Sequence, residues 1–255
     1  MSHVDLNCDL GESFATYTLG MDADVIPHIT SANVACGWHG GDPLVMQKTV
    51  ALCKQHGVAV GAHPSYPDLL GFGRRNMVIT ADEARAYIKY QVGALQAFCR
   101  AEGLELQHVK PHGALYNTMA RDPALAEAVC RGIRDCGSEL IVMALAGSIV
   151  VDAAKSLGLP VAQEVFADRA YEEDGSLVDR RKEGSMITDE QQAIARVIRM
   201  VTEGKVKAIT GKDIPVSAHS VCVHGDGPKA LAFVQSIHAA LQKAGITVAP
   251  LREVI

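Results

Sequence analysis

The sequence predicts an α/β fold in which about seven parallel strands, with helices between them, form a closed or nearly closed β/α barrel. Three observations predict it. Strand-like and helix-like patterns alternate along the 255 residues at intervals that suit βα units. The strand-like runs end in polar clusters, and β/α barrels of this chain length routinely fold as one domain. We therefore expect residues 1–255 to form a single domain, with a doubly wound open sheet as the alternative architecture.

The individual elements follow from short apolar runs and from helix start signals. The predicted strands are 3–8, 32–36, 58–62, 107–110, 140–145, 160–164 and 219–224. Residues 206–217 predict a hairpin, and the charged stretch 167–187 predicts a lid or binding loop. Four helices carry a start signal, either a carboxylate before a proline or a capping box: Asp42-Pro43 and Asp122-Pro123, then Thr80-x-x-Glu83 and Thr188-x-x-Gln191.

Composition excludes several classes of protein. Hydrophobic residues make up 48% and charged residues 21%, which is typical of a folded, soluble chain. The net charge of -5 and the lack of a basic patch argue against a nucleic-acid partner. Seven cysteines without CxxC pairs favour a reducing cytoplasm. With no signal-peptide pattern and no run near the roughly 20 apolar residues of a membrane span, we expect no membrane association.

Five strand-like runs end in clusters of polar residues, and these clusters are the main functional signal. They are 5–9, 36–42, 61–64, 109–113 and 222–226. If the strands are parallel, the clusters meet at the carboxyl end of the sheet, where α/β enzymes place their active sites. The sequence therefore predicts an enzyme.

A set of one aspartate and two histidines is the first candidate for chemistry. Asn7 and Asp9 share one strand face because side chains alternate with period two. Asp9, His63 and His112 would form an Asp-His-His set that suits a divalent cation and the activation of water. In the alternative interpretation the histidines hydrogen-bond substrate or backbone without a metal, and both interpretations stay open.

Charged residues near two strand ends are the second candidate. Lys110 precedes His112 by two residues and should point to the same face, where it suits a substrate carboxylate, a phosphate or an acid/base role. Glu164 and Asp168-Arg169 resemble this arrangement after another strand. A structural ion pair at the base of a loop is the alternative for these residues.

Glycine-rich turns carry the remaining substrate-binding candidates. His39 and Asp42, and later His224 and Asp226, lie among glycines that let backbone amides approach a ligand. The helices that follow would point their amino ends at the same region and favour a bound anion. His108 is expected to lack polar partners and to have no chemical role. Neither GxGxxG after the first strand nor GxxxxGK[ST] occurs, so no P-loop in this chain would hold ATP.

Six segments, in order and spanning essentially the whole chain, resemble the LamB/YcsF family. They are DLNCDLGE (5–12), SANVACGWHGGD (31–42), GAHPSYPD (61–68), HVKPHGALYN (108–117), EVFADR (164–169) and CVHGD (222–226). The resemblance implies a distorted β/α barrel similar to that of the glycoside hydrolase/deacetylase superfamily. It also implies ATP-dependent opening of 5-oxo-L-proline to L-glutamate, with ATP as co-substrate and with two partner subunits, B and C, of a prokaryotic 5-oxoprolinase.

That implied chemistry assigns roles to the residues found above. Our hypothesis is that Asp9 or Glu164 is the base, and that Arg169 or Lys110 holds the substrate carboxylate. Lys110 would also stabilise charge, together with the two histidines of the Asp-His-His set. Two other functions remain open: a stand-alone metal-dependent deacetylase or amidohydrolase, and a non-catalytic lactam-binding subunit.

Overall fold

A closed barrel of seven parallel strands forms the centre of the computed structural model, which describes residues 2–223 and 230–255. In chain order, the strands inside and outside the barrel are β1 (His3–Leu10), β2 (Ser31–Ala35), β3 (Ala59–His63), β4 (Leu106–Val109), β5 (Ile141–Leu145), β6 (Val161–Phe166), β7 (Lys205–Lys207), β8 (Asp213–Pro215), β9 (Ser220–Cys222) and β10 (Thr247–Val248). Strands β1 to β6 pair in sequence order, and β9 pairs with both β6 and β1. This double pairing closes the barrel, confirms the predicted fold and rules out the open sheet.

Helices occupy the connections between the barrel strands. They are α1 (Asp22–Val25), α2 (Pro43–His56), α3 (Ala81–Ala101), α4 (Gly113–Met119), α5 (Pro123–Cys136), α6 (Ile149–Ser156), α7 (Glu190–Glu203), α8 (Ala230–Lys243) and α9 (Leu251–Val254), with a 3-10 turn at Ile26–His28. All seven predicted strands are present with bounds that differ by at most two residues. The predicted hairpin is also confirmed, because β7 and β8 pair antiparallel.

Three of the four predicted helix starts are confirmed and one is wrong. The carboxylates of Asp42 and Asp122 cap α2 and α5, and the capping box at the start of α3 is complete. Helix α7 does not start from the predicted box at Thr188, because Asp189 accepts the amide of Gln192 instead. A carboxylate is a good acceptor for the first helical amides and also interacts favourably with the helix dipole.

The two faces of β1 differ in polarity. Leu6 and the other apolar residues of β1 belong to the hydrophobic core, whereas Asp5, Asn7 and Asp9 alternate with them. Deep in the barrel, the buried Asp5 carboxylate accepts hydrogen bonds from the hydroxyls of Thr30 (2.8 Å), Ser31 (2.6 Å) and Ser220. The barrel interior is therefore polar from its lower layer up to the strand ends.

A second polar layer lies between Asp5 and the barrel mouth. Asn7 donates to Ser220 Oγ at 2.7 Å, and Asn33 donates to Asn7 Oδ1 at 2.7 Å. His108 Nε2 lies 2.7 Å from Asn33 Oδ1, and a Cβ at Gly61 would overlap the His108 imidazole. The missing side chain at Gly61 thus makes room for a polar ring inside the barrel.

One large cluster of buried hydrophobic side chains joins the barrel strands to their helices. Across residues 2–223 and 230–255, no helix is both long enough and apolar enough to cross a lipid bilayer. The organisation of residues 1–255 as a single domain stays a prediction.

Candidate active site at the carboxyl end of the barrel

A cavity of about 1130 Å³ opens at the carboxyl ends of the barrel strands. Asp9, His63, Lys110 and His112 lie in its lining, as the convergence of strand ends predicts. The charged segment between β6 and α7 supplies another part of the wall, from Arg169 and from residues 172–182. The strand-end residues and the predicted binding loop therefore contribute to one cavity.

Lys110 is the centre of a buried ion-pair network. Its ammonium lies 2.9 Å from Asp9 Oδ1 and 2.8 Å from Glu164 Oε1. It also lies 3.2 Å from Asn7 Oδ1 and 3.3 Å from Cys222 Sγ. Burial works against the charged form, but the two carboxylates outweigh it and hold the pKa of Lys110 well above its ordinary value. Lys110 is therefore an ammonium whose contacts are made within the protein.

The two carboxylates beside Lys110 differ in access to the cavity. Glu164 is fully buried, and its second oxygen accepts a 2.6 Å hydrogen bond from the Tyr116 hydroxyl. The Asp9 side chain is 18% exposed and lines the cavity. Its Oδ1 accepts from Lys110 and from Asn33 Nδ2 at 2.8 Å, while Oδ2 lies 3.3 Å from His63 Nε2. Of this pair, Asp9 is the carboxylate that a bound molecule can reach.

His63 and His112 are oriented by backbone carbonyls. His63 Nδ1 lies 2.6 Å from the carbonyl oxygen of Lys110, and His112 Nε2 lies 2.9 Å from that of Phe72. Because a carbonyl oxygen only accepts hydrogen bonds, both of these ring nitrogens carry the proton. The other two, His63 Nε2 and His112 Nδ1, face each other at 2.9 Å.

Glu12 and His39 complete a group of four that could hold a metal ion. One ligand atom from each of Glu12, His39, His63 and His112 lies within 4.8 Å of all the others. Glu12 Oε1 lies 3.0 Å from His39 Nε2 and 3.7 Å from His112 Nδ1. Burial lowers the pKa of both His39 and His112 well below the ordinary value. Sequence reasoning missed Glu12, although it lies only three residues after Asp9.

Arg169 is buried where the loop after β6 meets the cavity. One guanidinium nitrogen, Nη2, donates to the carbonyl of Val178 at 2.7 Å, while the buried Nε has no hydrogen-bond partner among the residues that the structure describes. Burial lowers the pKa of Arg169 to about 10, with a further contribution from Arg180, so the group stays charged at neutral pH. A buried guanidinium with an unused donor at a cavity wall is suited to an anionic group.

Other predicted site residues lie apart from the cavity or outside the described ranges. Asp42 accepts hydrogen bonds from the amides of Leu44, Val45 and Ala15, so its carboxylate is engaged at the start of α2 and is absent from the cavity lining. The imidazole of His39 is buried behind that of His112, with ring centroids 3.7 Å apart. His224 and Asp226 fall between residues 223 and 230, outside the described residues.

Sequence reasoning misjudged His108 and overlooked Asn33. The expectation that His108 lacks polar partners is wrong, because it pairs with Asn33, which in turn holds Asn7 and Asp9. Burial lowers the pKa of His108 to about 3, so the ring is neutral. The sequence signal that could have revealed this pairing was the polar Asn33 inside the apolar run 32–36.

Comparison with known proteins agrees with this architecture. The A subunit of 5-oxoprolinase from Clostridium beijerinckii is 60% identical over 254 residues, which cover 100% of both chains. The crystal structure of a lactam utilization protein from Thermus thermophilus superimposes with a TM-score of 0.92 at 45% identity, over 97% of this chain and 99% of that one.

More distant structures share the fold alone. A variant of the peptidoglycan deacetylase PdaC from Bacillus subtilis matches 99% of this chain and 91% of its own, with a TM-score of 0.50 and 12% identity. This match confirms the expected likeness to deacetylase barrels. The LamB/YcsF family model matches residues 4–255. This chain therefore belongs to the LamB/YcsF family.

Proposed function

We propose that this chain is the subunit of an ATP-dependent 5-oxoprolinase that carries out the hydrolytic opening of 5-oxo-L-proline to L-glutamate. The single observation that carries the proposal is the polarised carboxylate at the cavity base. Asp9 is held by Lys110 and Asn33 through Oδ1 and reaches the cavity beside His63. The name of the Clostridium beijerinckii relative supports the choice of substrate.

Asp9 is a better candidate for the base than Glu164. Tyr116 and Lys110 engage the buried Glu164, which leaves it no path to a substrate water. Asp9 is stabilised in its ionised form by Lys110 and is open to the cavity, so it can position and deprotonate an attacking water. Glu164 then acts as the counter-charge that keeps Lys110 in place.

Arg169 is a better candidate than Lys110 for holding the substrate carboxylate. The Lys110 ammonium already contacts Asp9, Glu164 and Asn7, and a further anion would have to displace one of them. Arg169 is charged and lines the cavity, and its buried Nε has no partner within residues 2–223 and 230–255. A guanidinium at this position would fix the lactam by its carboxylate while its ring carbonyl faces Asp9.

The ATP-consuming step is assigned in this proposal to partner subunits B and C. The sequence has no P-loop, and an amide carbonyl must be made more electrophilic before water attacks it. Activation of the lactam by the partners, followed by hydrolysis here, divides the reaction in a way that fits both features. The cavity of about 1130 Å³ is large enough to accept an activated lactam.

Reconstitution tests this function directly. Glutamate is measured from 5-oxo-L-proline and ATP with this chain alone and with subunits B and C. We expect turnover only in the complete mixture, and about a 100-fold or greater loss with Asp9→Asn. Asp42→Asn is the matched control, because an asparagine also caps a helix and residue 42 lies outside the cavity lining. Normal turnover with Asp9→Asn would remove Asp9 from the mechanism.

A stand-alone metal-dependent amidohydrolase or deacetylase is the second candidate function. The grouping of Glu12 with three histidines, together with the deacetylase-like fold, favours it. Hydrolysis of small amides or N-acetyl sugars by this chain alone, without ATP, would support this candidate against the first.

A further inference from the structure

Two histidine nitrogens face each other at the base of the cavity. The carbonyls of Lys110 and Phe72 fix a proton on the far nitrogen of each ring, so in the neutral rings His63 Nε2 and His112 Nδ1 direct lone pairs at one another across 2.9 Å. Asp9 Oδ2 lies a further 3.3 Å from His63 Nε2, which adds a negative group to the same point. Such an arrangement is repulsive unless a positive species lies between the atoms.

A proton meets this requirement less completely than a metal ion. One added proton can lie on only one line between two atoms, so it joins His63 either to His112 or to Asp9. Both rings are buried, at 1% exposure for His63 and 5% for His112. A metal ion instead contacts several donors at once, and the carbonyl partners leave the nitrogen on the cavity side of each ring as the one that can bind it.

The spacing of three donor atoms, from His63, His112 and Glu12, fits a four-coordinate ion with one position left open. With metal–nitrogen and metal–oxygen bonds of about 2.0–2.1 Å, tetrahedral geometry separates the ligand atoms by roughly 3.3 Å. The separations here are 2.9 Å for His63 with His112 and 3.7 Å for Glu12 with His112, and all three ligand atoms lie within 4.8 Å of one another.

His39 belongs to the cluster but is excluded as a ligand alongside His112. The two imidazoles are stacked with an interplanar angle of 2°. An imidazole binds a metal in the plane of its ring, and parallel planes share no common point. His39 Nε2 instead lies 3.0 Å from Glu12 Oε1, where a donated hydrogen bond orients the carboxylate.

We propose that His63 Nε2, His112 Nδ1 and Glu12 form a binding site for one divalent transition-metal ion beside Asp9, and that His39 is a positioning residue for Glu12. Two nitrogen donors and one carboxylate donor suit zinc or cobalt better than magnesium or calcium. A bound ion would supply the positive charge for a developing oxyanion, which neutral histidine acceptors cannot supply alone. This inference concerns binding, and it stands apart from the choice of substrate above.

Cobalt and zinc binding by the full chain test the proposal without any activity assay. The protein is stripped with a chelator, returned to buffer and titrated with Co²⁺, with the visible absorption of the bound ion and calorimetry as readouts. We expect one ion per chain, with competition by Zn²⁺ and a higher melting temperature for the loaded protein. Nuclear magnetic resonance of the ring nitrogens should show Zn²⁺ acting on His63 Nε2 and His112 Nδ1.

Matched variants separate ligands from the positioning residue. We expect His63→Ala and His112→Ala each to weaken binding by at least about 100-fold, whereas His39→Ala should keep one ion per chain with about 10–100-fold lower affinity. His39→Gln retains a donor for Glu12 and should bind more tightly than His39→Ala. His56→Ala, at the far end of α2, should bind as the unaltered chain does.

Three results would overturn the proposal. They are no binding of either ion by the unaltered chain, equal binding by the His63→Ala and His112→Ala double variant, and a doubly protonated His63 at neutral pH that persists when Zn²⁺ is added. The last measurement needs no variant, so a folding defect in the variants leaves the test intact. Glutamate formation by the reconstituted, chelated enzyme would retain the proposed function while this site failed.

Discussion

Asp5 and Asp9 lie four residues apart on one strand and point into the same barrel, yet their surroundings differ. Asp5 is fully buried and is held by three hydroxyls. Burial is the largest cause of its raised pKa, which reaches about 6. Asp9 lies against the ammonium of Lys110 and reaches the cavity. The comparison shows that a counter-ion and solvent access, rather than strand position, decide which aspartate is available as a permanent negative charge.

Removal of the Lys110 ammonium should have the largest effect on the stability of the fold. In Lys110→Met, Asp9 and Glu164 lose the ammonium that joins them, and a buried carboxylate is left without its partner. We expect a loss of about 3–5 kcal/mol in the free energy of unfolding at pH 8. Urea denaturation followed by circular dichroism measures it.

A double variant provides the control for that loss. Lys110→Met with Glu164→Gln removes the buried negative charge as well, so part of the stability should return. An equal loss in the single and double variants would show that packing, rather than the unpaired charge, causes the effect.

Neutralising Asp5, the deeper of the two aspartates, should raise the stability of the fold instead of lowering it. The pKa of an aspartate side chain is ordinarily 3.8, and that of Asp5 is about 6 in the folded chain, so the folded state binds the proton more tightly. Ionisation therefore costs stability as the pH rises from about 4 to about 6, by about 2–3 kcal/mol in total. We expect Asp5→Asn to be more stable than the unaltered chain at pH 8 and similar to it at pH 4. A constant difference across this range would contradict the assignment of the raised pKa to Asp5.

Loss of one hydroxyl beside Glu164 should have the smallest effect of the three. Tyr116→Phe removes the 2.6 Å hydrogen bond to a fully buried carboxylate. We expect a loss of about 2 kcal/mol in stability at pH 8, because the oxygen is left unsatisfied. Tyr90→Phe is the control, since that tyrosine is 65% exposed. Equal melting temperatures for the two variants would show that the Tyr116 hydroxyl contributes little.

The sequence alone predicted the barrel and part of the site for a physical reason. Parallel strands and Asp-Pro helix starts are local patterns, and strand ends of a barrel must converge. Asp9, His63, Lys110 and His112 could therefore be placed together from their positions along the chain. Arg169 could be placed near them because it follows the end of β6.

Other residues required information that a single sequence does not carry. Glu12 enters the cluster because the chain turns at Gly11, which has a φ of 69°. The link from His108 to Asn33 depends on the register across β2, β3 and β4. Asp42 shows two local signals in competition: the glycines before it suggested ligand binding, but the proline after it marks a helix cap, and the cap is what forms.

The orientation of the two central imidazoles has a consequence for how this site tolerates mutation. Main-chain carbonyls of residues 110 and 72 hold the rings, so no side-chain substitution there can delete the acceptor. The backbone thus determines the directions in which the lone pairs of His63 and His112 point. Substitutions around the cavity can change its charge, its size and its specificity while the two imidazoles keep their orientation. Only an insertion, a deletion or a shift of a loop would change that orientation.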